Sequence, residues 1–415
     1  MPSTRFDADI ILVGGGLVGL SFAIAAGQAG LSVLVLDAAP PAASLAPGFD
    51  GRVSALGRAS TRLMGALGVW PRLTPYAQPI LDIIVTDGRV GSGPSPLGLH
   101  FDHLDGNPDT SGQALGHIIE NRHIRAALYN KISGIEQISI RAPAKVLAAR
   151  SDGYGATVQL ADGASVRGHL CVAADGRESV LRKAAGIKSI AWDYAQSGIV
   201  ATVLHAQPHG GLAHEYFLPG GPFAVLPITG NRSSLVWTEP TRRAQALMAL
   251  NHADFDSELR ARFGSQWGEI KSEGPRWVYP LSFHHARDYV VDRLVLAGDA
   301  AHTIHPIAGQ GLNLGLRDVA ALAEVLVDAH RLGLDIGAAT VLERYQAWRR
   351  FDNVSLAAVT DILNRLFSND VPLLRLARDI GLGIAGQIGP LRRLAMRHAA
   401  GDVGKLPRLM TGDAL

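Results

Sequence analysis

Three closely spaced glycines lie between two apolar stretches in residues 8–37. This feature constrains the fold of the chain most strongly. Residues 10–36 carry no charge and are numerous enough to cross a bilayer. However, this stretch also contains six glycines and a glutamine. Such a pattern favours a buried strand, a turn, a helix and a second buried strand over a membrane span. The sequence therefore predicts a βαβ unit near the start of the chain.

The glycines of this unit form the pattern G-x-G-x-x-G at Gly14, Gly16 and Gly19. Glycines at these positions permit a tight turn, close approach of a pyrophosphate and close packing of helix on strand. The N–H groups at the start of the following helix favour an anion. Asp37 ends the second strand, 18 residues after Gly19, where a carboxylate can bind a ribose 2′-hydroxyl. The pattern predicts a site for NAD or FAD, and not for NADP, rather than a glycine turn without a ligand.

Bulk composition sets further limits on what the chain can be. Of its 415 residues, 47% are hydrophobic and 18% are charged, which allows a large buried core. The net charge of +2, without a basic patch interleaved with aromatics, argues against nucleic-acid binding. The single cysteine excludes an internal disulfide framework and fits a reducing compartment. The first residues, MPSTRFDAD, do not have the pattern of a signal peptide.

A second glycine-rich stretch, AGDAAHTIHPIAGQGLNLGLRD, covers residues 297–318. Asp299, His302 and His305 suggest a metal site, but Pro306 and the glycines after it interrupt a regular helix, and no further ligand cluster stands nearby. A surface linker does not suit a mostly uncharged stretch that follows a buried strand. The stretch is therefore interpreted as a cofactor cradle without a metal, in which the two histidines pack or support the cradle.

Three motifs stand in a fixed order along the chain: the first glycine pattern, DGRESVLR at 175–182, and the long stretch from Gly298. In this order they resemble the class A flavoprotein aromatic hydroxylases, the group related to p-hydroxybenzoate hydroxylase. FDGRVSAL, AHTIHPIAGQGLNLGLRDVAALAEVL and the C-terminal GPLRRLAMRHAAGDVGKLPRLMTG resemble the ubiquinone-biosynthesis hydroxylases within that group. The resemblance covers nearly the whole chain, and it selects FAD as the dinucleotide.

The resemblance implies how the second glycine-rich stretch would hold the flavin. Asp299 would accept a hydrogen bond from a ribityl hydroxyl. The backbone of Gly309, Gly311, Leu312 and Asn313 would lie against the isoalloxazine. The helix that begins there would point its N-terminus at the pyrimidine end of the ring, where reduced flavin carries negative charge.

The resemblance also implies contacts outside that stretch. Arg52 would lie near the flavin, although an exposed loop arginine is the alternative. Asn121 stands where related enzymes touch FAD with Arg or Gln, and Arg122 beside it could serve instead. Val146 would present its backbone to the adenine. Asp175 would contact the pyrophosphate and a transient pyridine nucleotide, or would only hold its own turn.

The implied activity is that of an FAD-dependent monooxygenase that hydroxylates the ring of a polyprenylated phenol in ubiquinone biosynthesis. NADPH or NADH would reduce FAD, and O2 would then form a flavin C4a-hydroperoxide that attacks the ring. No catalytic side chain or general base is assigned, because the flavin carries the chemistry. Two alternatives stay open: a flavin-dependent reductase or dehydrogenase of the same fold, and a non-catalytic FAD-binding subunit of a quinone-biosynthesis complex.

The expected fold class is α/β with an α+β composite organisation. A Rossmann-like FAD-binding domain is assembled from residues 1–75, 117–185 and 285–350. An antiparallel-sheet domain for the substrate is formed by residues 76–116 and 186–284, and a helical region follows at 351–415. Four aromatic residues in the second domain line the pocket or, as the favoured interpretation, fill the sheet core. They are Tyr216, Phe217, Phe223 and Trp237.

The C-terminal region contains an uncharged run, residues 380–391, followed by Arg392, Arg393 and Arg397. The run is too short to span a membrane. It is interpreted either as a core helix or as a surface that meets a membrane or a quinone-biosynthesis complex. A polyprenylated substrate would come from a bilayer. The expected location is therefore the cytoplasm, with peripheral attachment at the inner face of the membrane under the second interpretation.

Overall fold

The computed structural model describes residues 5–45, 51–91, 93–105, 111–305, 309–350, 352–353, 401 and 404–415. Within these residues the strands are β1 (Ala8–Val13), β2 (Val33–Leu36), β3 (Val53–Gly57), β4 (Gln78–Ile80), β5 (Asp82–Arg89), β6 (Gly93–Asp102), β7 (Gly116–Glu120), β8 (Ile138–Arg141), β9 (Val146–Ser151), β10 (Ala156–Leu160), β11 (Ser165–Ala173), β12 (Ser189–His205), β13 (Leu212–Leu218), β14 (Gly221–Ile228), β15 (Arg232–Pro240), β16 (Ile270–Ala286), β17 (Val290–Val291), β18 (Leu294–Leu296) and β19 (His302–Thr303). The helices in the same residues are α1 (Leu17–Gln28), α2 (Pro41–Ser44), α3 (Arg58–Ala66), α4 (Trp70–Leu73), α5 (Asn121–Ile132), α6 (Val180–Ala184), α7 (Thr241–Met248), α8 (His252–Phe263), α9 (Gly311–Arg331), α10 (339–350) and α11 (Arg408–Thr411).

The first sheet has β1 at its centre, paired in parallel with β11 on one side and β2 on the other. Ile10, Ile11 and Leu12 of β1 have no solvent exposure, as expected for a parallel strand covered on both faces. The predicted βαβ unit is confirmed as β1, α1 and β2. Among the described residues, no helix combines the length and the apolar character needed to span a membrane.

The carboxyl ends of three parallel strands meet at one edge of this sheet. Val13 of β1 lies beside Ala173 of β11, which lies beside Leu296 of β18. The chain leaves these three strands in the first glycine turn, the DGRESVLR segment and the Gly298 segment. Ligands of open parallel sheets bind outside the carboxyl ends of the strands, so the fold brings the three predicted motifs to one place.

The second sheet has the order β19-β16-β12-β15-β14-β13-β5-β6 and packs one face against α7 and α8. Tyr216, Phe223 and Trp237 are at most 1% exposed and belong to the apolar cluster on that face. The core interpretation of these three aromatics is therefore confirmed, and their assignment to the pocket is wrong. Phe217 is also buried.

The strands of the two large sheets come mostly from different segments of the chain, as in the predicted division into domains. Strands of the first sheet come from residues 8–36, 138–173 and 290–296, and most of the second sheet comes from residues 82–102 and 189–286. Two features cross this division: β19 pairs with β16, and β3, β7 and β4 form a separate three-stranded sheet. The mixed α/β fold class is confirmed, whereas the domain boundaries stay a prediction.

The C-terminal region is described in part. The uncharged run at residues 380–391 and the three arginines after it lie outside the described residues. Near the end of the chain, α11 packs against α3, and Arg62 Nε donates to the carbonyl oxygen of Met410 at 2.9 Å. Arg408 also donates its backbone N–H to Glu324 of α9 at 2.7 Å. These contacts hold the final residues beside α9, the helix that begins in the second glycine-rich stretch.

Candidate functional site

The glycines of the first turn differ in what surrounds them. A Cβ on Gly14 would stand 2.2 Å from the carbonyl oxygen of Ala174, and the backbone there has φ = +109°. A Cβ on Gly19 would stand 2.0 Å from the carbonyl oxygen of Gly14. Gly16, by contrast, has no atom within 4 Å of its Cβ position and faces a cavity. Gly14 and Gly19 therefore permit the close packing, and Gly16 leaves room for a ligand.

Asp37 is held beside this turn by backbone donors. Its Oδ2 accepts a hydrogen bond from the N–H of Gly15, and its Oδ1 accepts one from the N–H of Ala39 at 2.7 Å. Each carboxylate oxygen can accept more than one hydrogen bond, so both retain capacity for a ligand. The orientation is compatible with the predicted ribose contact, which stays a prediction.

The second glycine-rich stretch forms the opposite side of the cradle. Gly298 and Gly309 both have φ = +61°, a left-handed backbone that glycine adopts without strain. Gly311 has no atom within 4 Å of its Cβ position and is the first residue of α9. Asp299 lines the same cavity, and its exposed surface faces that cavity. The surrounding protein raises the pKa of Asp299 by desolvation, while His302, among other groups, opposes this shift.

Asn313 uses its side chain to lock the start of α9. Its Oδ1 accepts hydrogen bonds from the N–H of Gly57 at 3.0 Å and from Ser60 Oγ at 2.7 Å. Its Nδ2 donates to the carbonyl oxygen of Ala55 at 2.7 Å. Because the amide is engaged by β3 and α3, a flavin contact at this position would come from the backbone, which is the contact that the resemblance implies.

Asp318 of α9 is fully buried and contacts the turn at Gly298. Its Oδ2 accepts a hydrogen bond from the N–H of Gly298 at 2.9 Å and lies 2.6 Å from His302 Nε2. Its Oδ1 accepts a hydrogen bond from Arg349 Nε at 2.8 Å. Burial by itself would raise the pKa of Asp318, but the attraction and hydrogen bonds of His302 and Arg349 lower it well below its usual range. Asp318 therefore holds the Gly298 turn as a buried carboxylate.

The alternative metal site can be compared with these contacts. His302 is bonded to Asp318, and Asp299 faces the cavity. In the part of the chain that the structure describes, the only histidine and carboxylate group compact enough for a metal ion consists of residues 82, 102 and 103. None of those three lines the cavity.

A cavity of about 690 Å³ lies between the glycine cradle and the second sheet. This volume is within the range of small-molecule sites. The predicted cofactor residues that line it are Gly16, Arg52, Asn121, Asp299, Gly309, Gly311, Leu312 and Asn313. The predicted residues that do not line it are Gly14, Gly19, Asp37, Arg122, Val146 and Asp175.

The structure distinguishes the two neighbours on α5. Asn121 lines the cavity, and its Oδ1 accepts Ser54 Oγ at 2.6 Å. Arg122 instead donates from Nε to Glu120 at 2.6 Å. Arg125, which was not among the predicted site residues, also lines the cavity. It lies four residues after Asn121 and so shares its helix face, a periodic signal that could have identified it.

Asp175 makes hydrogen bonds that support the local structure, and Val146 is buried. Asp175 Oδ2 accepts the N–H groups of Val180 at 2.9 Å and Leu181 at 3.4 Å, which fixes the start of α6. The turn interpretation of Asp175 thus matches the observed bonds. Val146 is buried at the start of β9. Arg52 lines the cavity with its guanidinium carbon 4.7 Å from the ring centroid of Tyr279.

The wall opposite the glycine cradle is mostly apolar, and its residues were not predicted from the sequence. Its side chains come from β4, β5, β6, β13, β14 and β15, together with the segment before β7. They include Ile80, Ile83, Val85, Phe101, Leu115, Ala213, Ala224, Leu226 and Val236. Such a wall suits an apolar ligand. Each contributing segment looks like ordinary sheet core in the sequence, so only the pairing of the strands reveals the wall.

We expect His214 of β13 to make the protein sensitive to acid. His214 lies 3.2 Å from Thr86 Oγ1 and stacks on Tyr216, and burial lowers its pKa to about 4. The unfolded chain therefore binds more protons, so this contribution is complete above pH ~6.5 and is lost as the pH falls toward 4. Urea unfolding should show a loss of about 3 kcal/mol from this group over that interval.

His214→Phe replaces the imidazole by an aromatic ring that does not titrate. His100→Gln, at an exposed histidine, is the matched control. His214→Phe should flatten the dependence of unfolding free energy on pH between 6.5 and 4, and His100→Gln should not. The remaining slope should include His284, whose pKa burial also lowers to about 4. An identical slope in His214→Phe and the wild-type protein would contradict the prediction.

Comparison with known proteins agrees with this geometry. Residues 7–351 match the FAD binding domain family. The chain is 48% identical to "Ubiquinone hydroxylase UbiL" of Rhodospirillum rubrum, covering 98% of this chain and 94% of that relative. It is 35% identical to "3-demethoxyubiquinol 3-hydroxylase" of Escherichia coli, covering 96% of this chain and all of that relative.

A solved structure supports the fold independently. The p-nitrophenol 4-monooxygenase PnpA from Pseudomonas putida DLL-E4 superposes with a TM-score of 0.79 at 20% identity, covering 97% of this chain and all of that one. At this identity the likeness concerns the fold alone. The family match and the sequence identities over nearly the whole chain carry the assignment. The chain belongs to the FAD binding domain family and, within it, to the FAD-dependent monooxygenases related to the ubiquinone-biosynthesis hydroxylases.

Proposed function

We propose that this protein hydroxylates the aromatic ring of a polyprenylated phenol in ubiquinone biosynthesis, with FAD as cofactor, O2 as co-substrate and NADPH or NADH as reductant. The observation that carries the proposal is one continuous cavity with two unlike walls. One wall is a glycine cradle with room for a flavin, and the other is an apolar surface with room for a ring. The names of the relatives, ubiquinone hydroxylase and 3-demethoxyubiquinol 3-hydroxylase, supply the substrate class.

The residues of the cradle fit FAD. Gly16 and Gly311 leave space where any side chain would protrude into the cavity. Asp299 offers a carboxylate to the ribityl hydroxyls, and the N-terminus of α9 offers backbone donors and a favourable dipole. Bound FAD supplies reductive activation of O2 at flavin C4a, with the reduced nicotinamide as electron source.

The other wall contributes positioning and exclusion of water. Its aliphatic side chains and Phe101 present few polar atoms to the cavity. A dry pocket favours transfer of oxygen to the substrate over loss of activated oxygen to water. A non-catalytic FAD-binding subunit would have no need for an apolar ring site on this scale, and the relatives named as hydroxylases argue against a reductase. We therefore favour a hydroxylase over both alternatives.

The proposed substrate also implies its source. A polyprenyl tail partitions into a bilayer, so the phenol would be taken from a membrane surface or from a quinone-biosynthesis complex. We place this contact in the C-terminal region, whose apolar and basic segment at residues 380–397 lies outside the described residues. The proposed location is the cytoplasm, with peripheral attachment at the inner face of the membrane.

The function is tested with purified protein, a short-chain prenylphenol and ¹⁸O2. We expect bound oxidised flavin and a product that carries one labelled oxygen on the ring. Asp299→Ala should weaken FAD binding about 10- to 100-fold, because it removes a charged hydrogen-bond acceptor. The rate of product formation at limiting FAD should fall accordingly. Asp288→Asn, at an exposed carboxylate outside the cavity, is the matched control and should change neither quantity.

Two results would replace the proposal with its alternatives. Consumption of reduced nicotinamide without labelled oxygen in any product would indicate a reductase or dehydrogenase. A non-catalytic subunit would be indicated by two observations together. The purified protein would bind FAD without turnover, and replacing Asp299 would leave the quinone precursors in cells unchanged.

A further inference from the structure

Strand β13 presents alternate side chains to two different environments. Tyr216 and Leu218 belong to the apolar cluster beneath α7 and α8. Ala213 belongs to the separate cluster that contains Ile80 and Phe101, on the cavity side. Because side chains alternate along a strand, Glu215 points to the same face as Ala213, and it lines the cavity.

The register of the sheet defines the neighbours of Glu215. Glu215 lies opposite Val85 of β5 and opposite Ala224 of β14, and Ala224 in turn lies opposite Val236 of β15. Directly opposed residues have Cβ atoms about 5 Å apart, so Val85 and Ala224 flank the carboxylate. A carboxylate is thus set in a row of otherwise apolar side chains.

An acidic side chain at this position needs polar partners. A carboxylate in an apolar wall loses hydration, which costs free energy unless polar partners replace the water. Small-molecule sites commonly consist of apolar walls with a few polar groups that orient the ligand. The two acidic side chains among the described residues that line the cavity are Asp299 and Glu215. Asp299 belongs to the glycine cradle, which leaves Glu215 as the carboxylate of the apolar wall.

We propose that Glu215 binds the phenolic hydroxyl of the substrate and activates the ring. The hydroxyl donates its hydrogen to the carboxylate, which offers about four acceptor positions and so adds this bond to those that it already makes. The proton stays shared between the two oxygens. The partial negative charge that this leaves on the phenol oxygen raises the electron density at the ortho and para ring carbons. This inference rests on the proposed function, because it requires a phenol in the cavity.

The test compares two probes on the FAD-loaded protein: 2-geranylphenol and its methyl ether, which lacks the donor. Binding is followed by the change in flavin absorbance. The wild-type protein should prefer the phenol, and Glu215→Leu should reduce that preference about 10- to 100-fold, the effect expected for one charged hydrogen bond. Glu215→Gln should keep part of the preference and lower kcat more than it raises KM, because an amide accepts a hydrogen bond without a negative charge. A merely structural role would affect both probes equally.

Val236→Leu is the matched control, because it changes an apolar side chain on the same wall without removing an acceptor. It should leave the ratio of the two affinities unchanged. Flavin content and the midpoint of thermal unfolding establish that each variant is folded. An equal preference for phenol in Glu215→Leu and the wild-type protein would overturn the role of Glu215 and leave the proposed function standing. A wild-type holoprotein that binds neither probe would overturn both.

Discussion

Gly19→Ala should destabilise the protein by about 3 kcal/mol, near the upper end of the usual cost of overpacking. The added methyl group would stand 2.0 Å from the carbonyl oxygen of Gly14, and the obstructing atom belongs to the backbone, which cannot rotate away as a side chain can. Urea unfolding of the FAD-free protein isolates this effect from cofactor binding. Gly65→Ala is the control, since Gly65 lies in α3 with no atom within 4 Å of its Cβ position. That variant should be stabilised by up to about 1 kcal/mol.

Gly16→Val, three residues earlier, should affect FAD binding more than it affects stability. The backbone at Gly16 has φ = −77° and ψ = −178°, an extended conformation that valine adopts readily. The stability of the FAD-free protein should therefore fall by only about 1 kcal/mol, because valine is a poorer N-cap for α1 than glycine. The side chain would occupy the open space of the cradle, and FAD affinity should fall at least about 100-fold, which corresponds to the loss of about 3 kcal/mol of binding free energy. Normal FAD affinity in Gly16→Val would show that the cofactor binds elsewhere.

Local patterns explain why much of the fold could be predicted. The βαβ unit follows from two apolar runs and a glycine turn. These signals are contained within about 30 residues. The position of the glycine cradle at one sheet edge also follows, because each motif comes directly after a buried strand.

Contacts between distant segments explain most of what could not be predicted. The position of Glu215 on the cavity face depends on the pairing of β13 with β5, which lies about 130 residues earlier in the chain. The support of the Gly298 turn by Asp318 depends on Arg349, which sequence patterns do not connect to that turn. Arg125 is different, because the phase of α5 relative to Asn121 would have identified it.

Asp318→Ala should cost about 3–5 kcal/mol of stability, the range seen when one partner of a buried ion pair is removed. Arg349 is completely buried and would lose one of its two carboxylate partners, keeping only its ion pair with Asp352. The same contact predicts a pH dependence. Because the pKa of Asp318 is lowered in the folded state, its contribution is complete above the unfolded value of about 4 and is lost as the pH falls below that value. Urea unfolding at neutral and acidic pH measures both effects.

Asp328→Asn provides the comparison on the same helix. Asp328 is half-buried at the surface and pairs with Arg408, so its replacement should cost no more than about 1 kcal/mol. The double variant Asp318→Ala, Arg349→Leu should recover part of the loss, because it also removes the buried guanidinium that has lost one of its two carboxylate partners. A small cost for Asp318→Ala, equal to that of Asp328→Asn, would show that the buried carboxylate does not hold the cradle. A large cost together with weakened FAD binding would connect the buried ion pair to the Gly298 turn, whose N–H group Asp318 accepts.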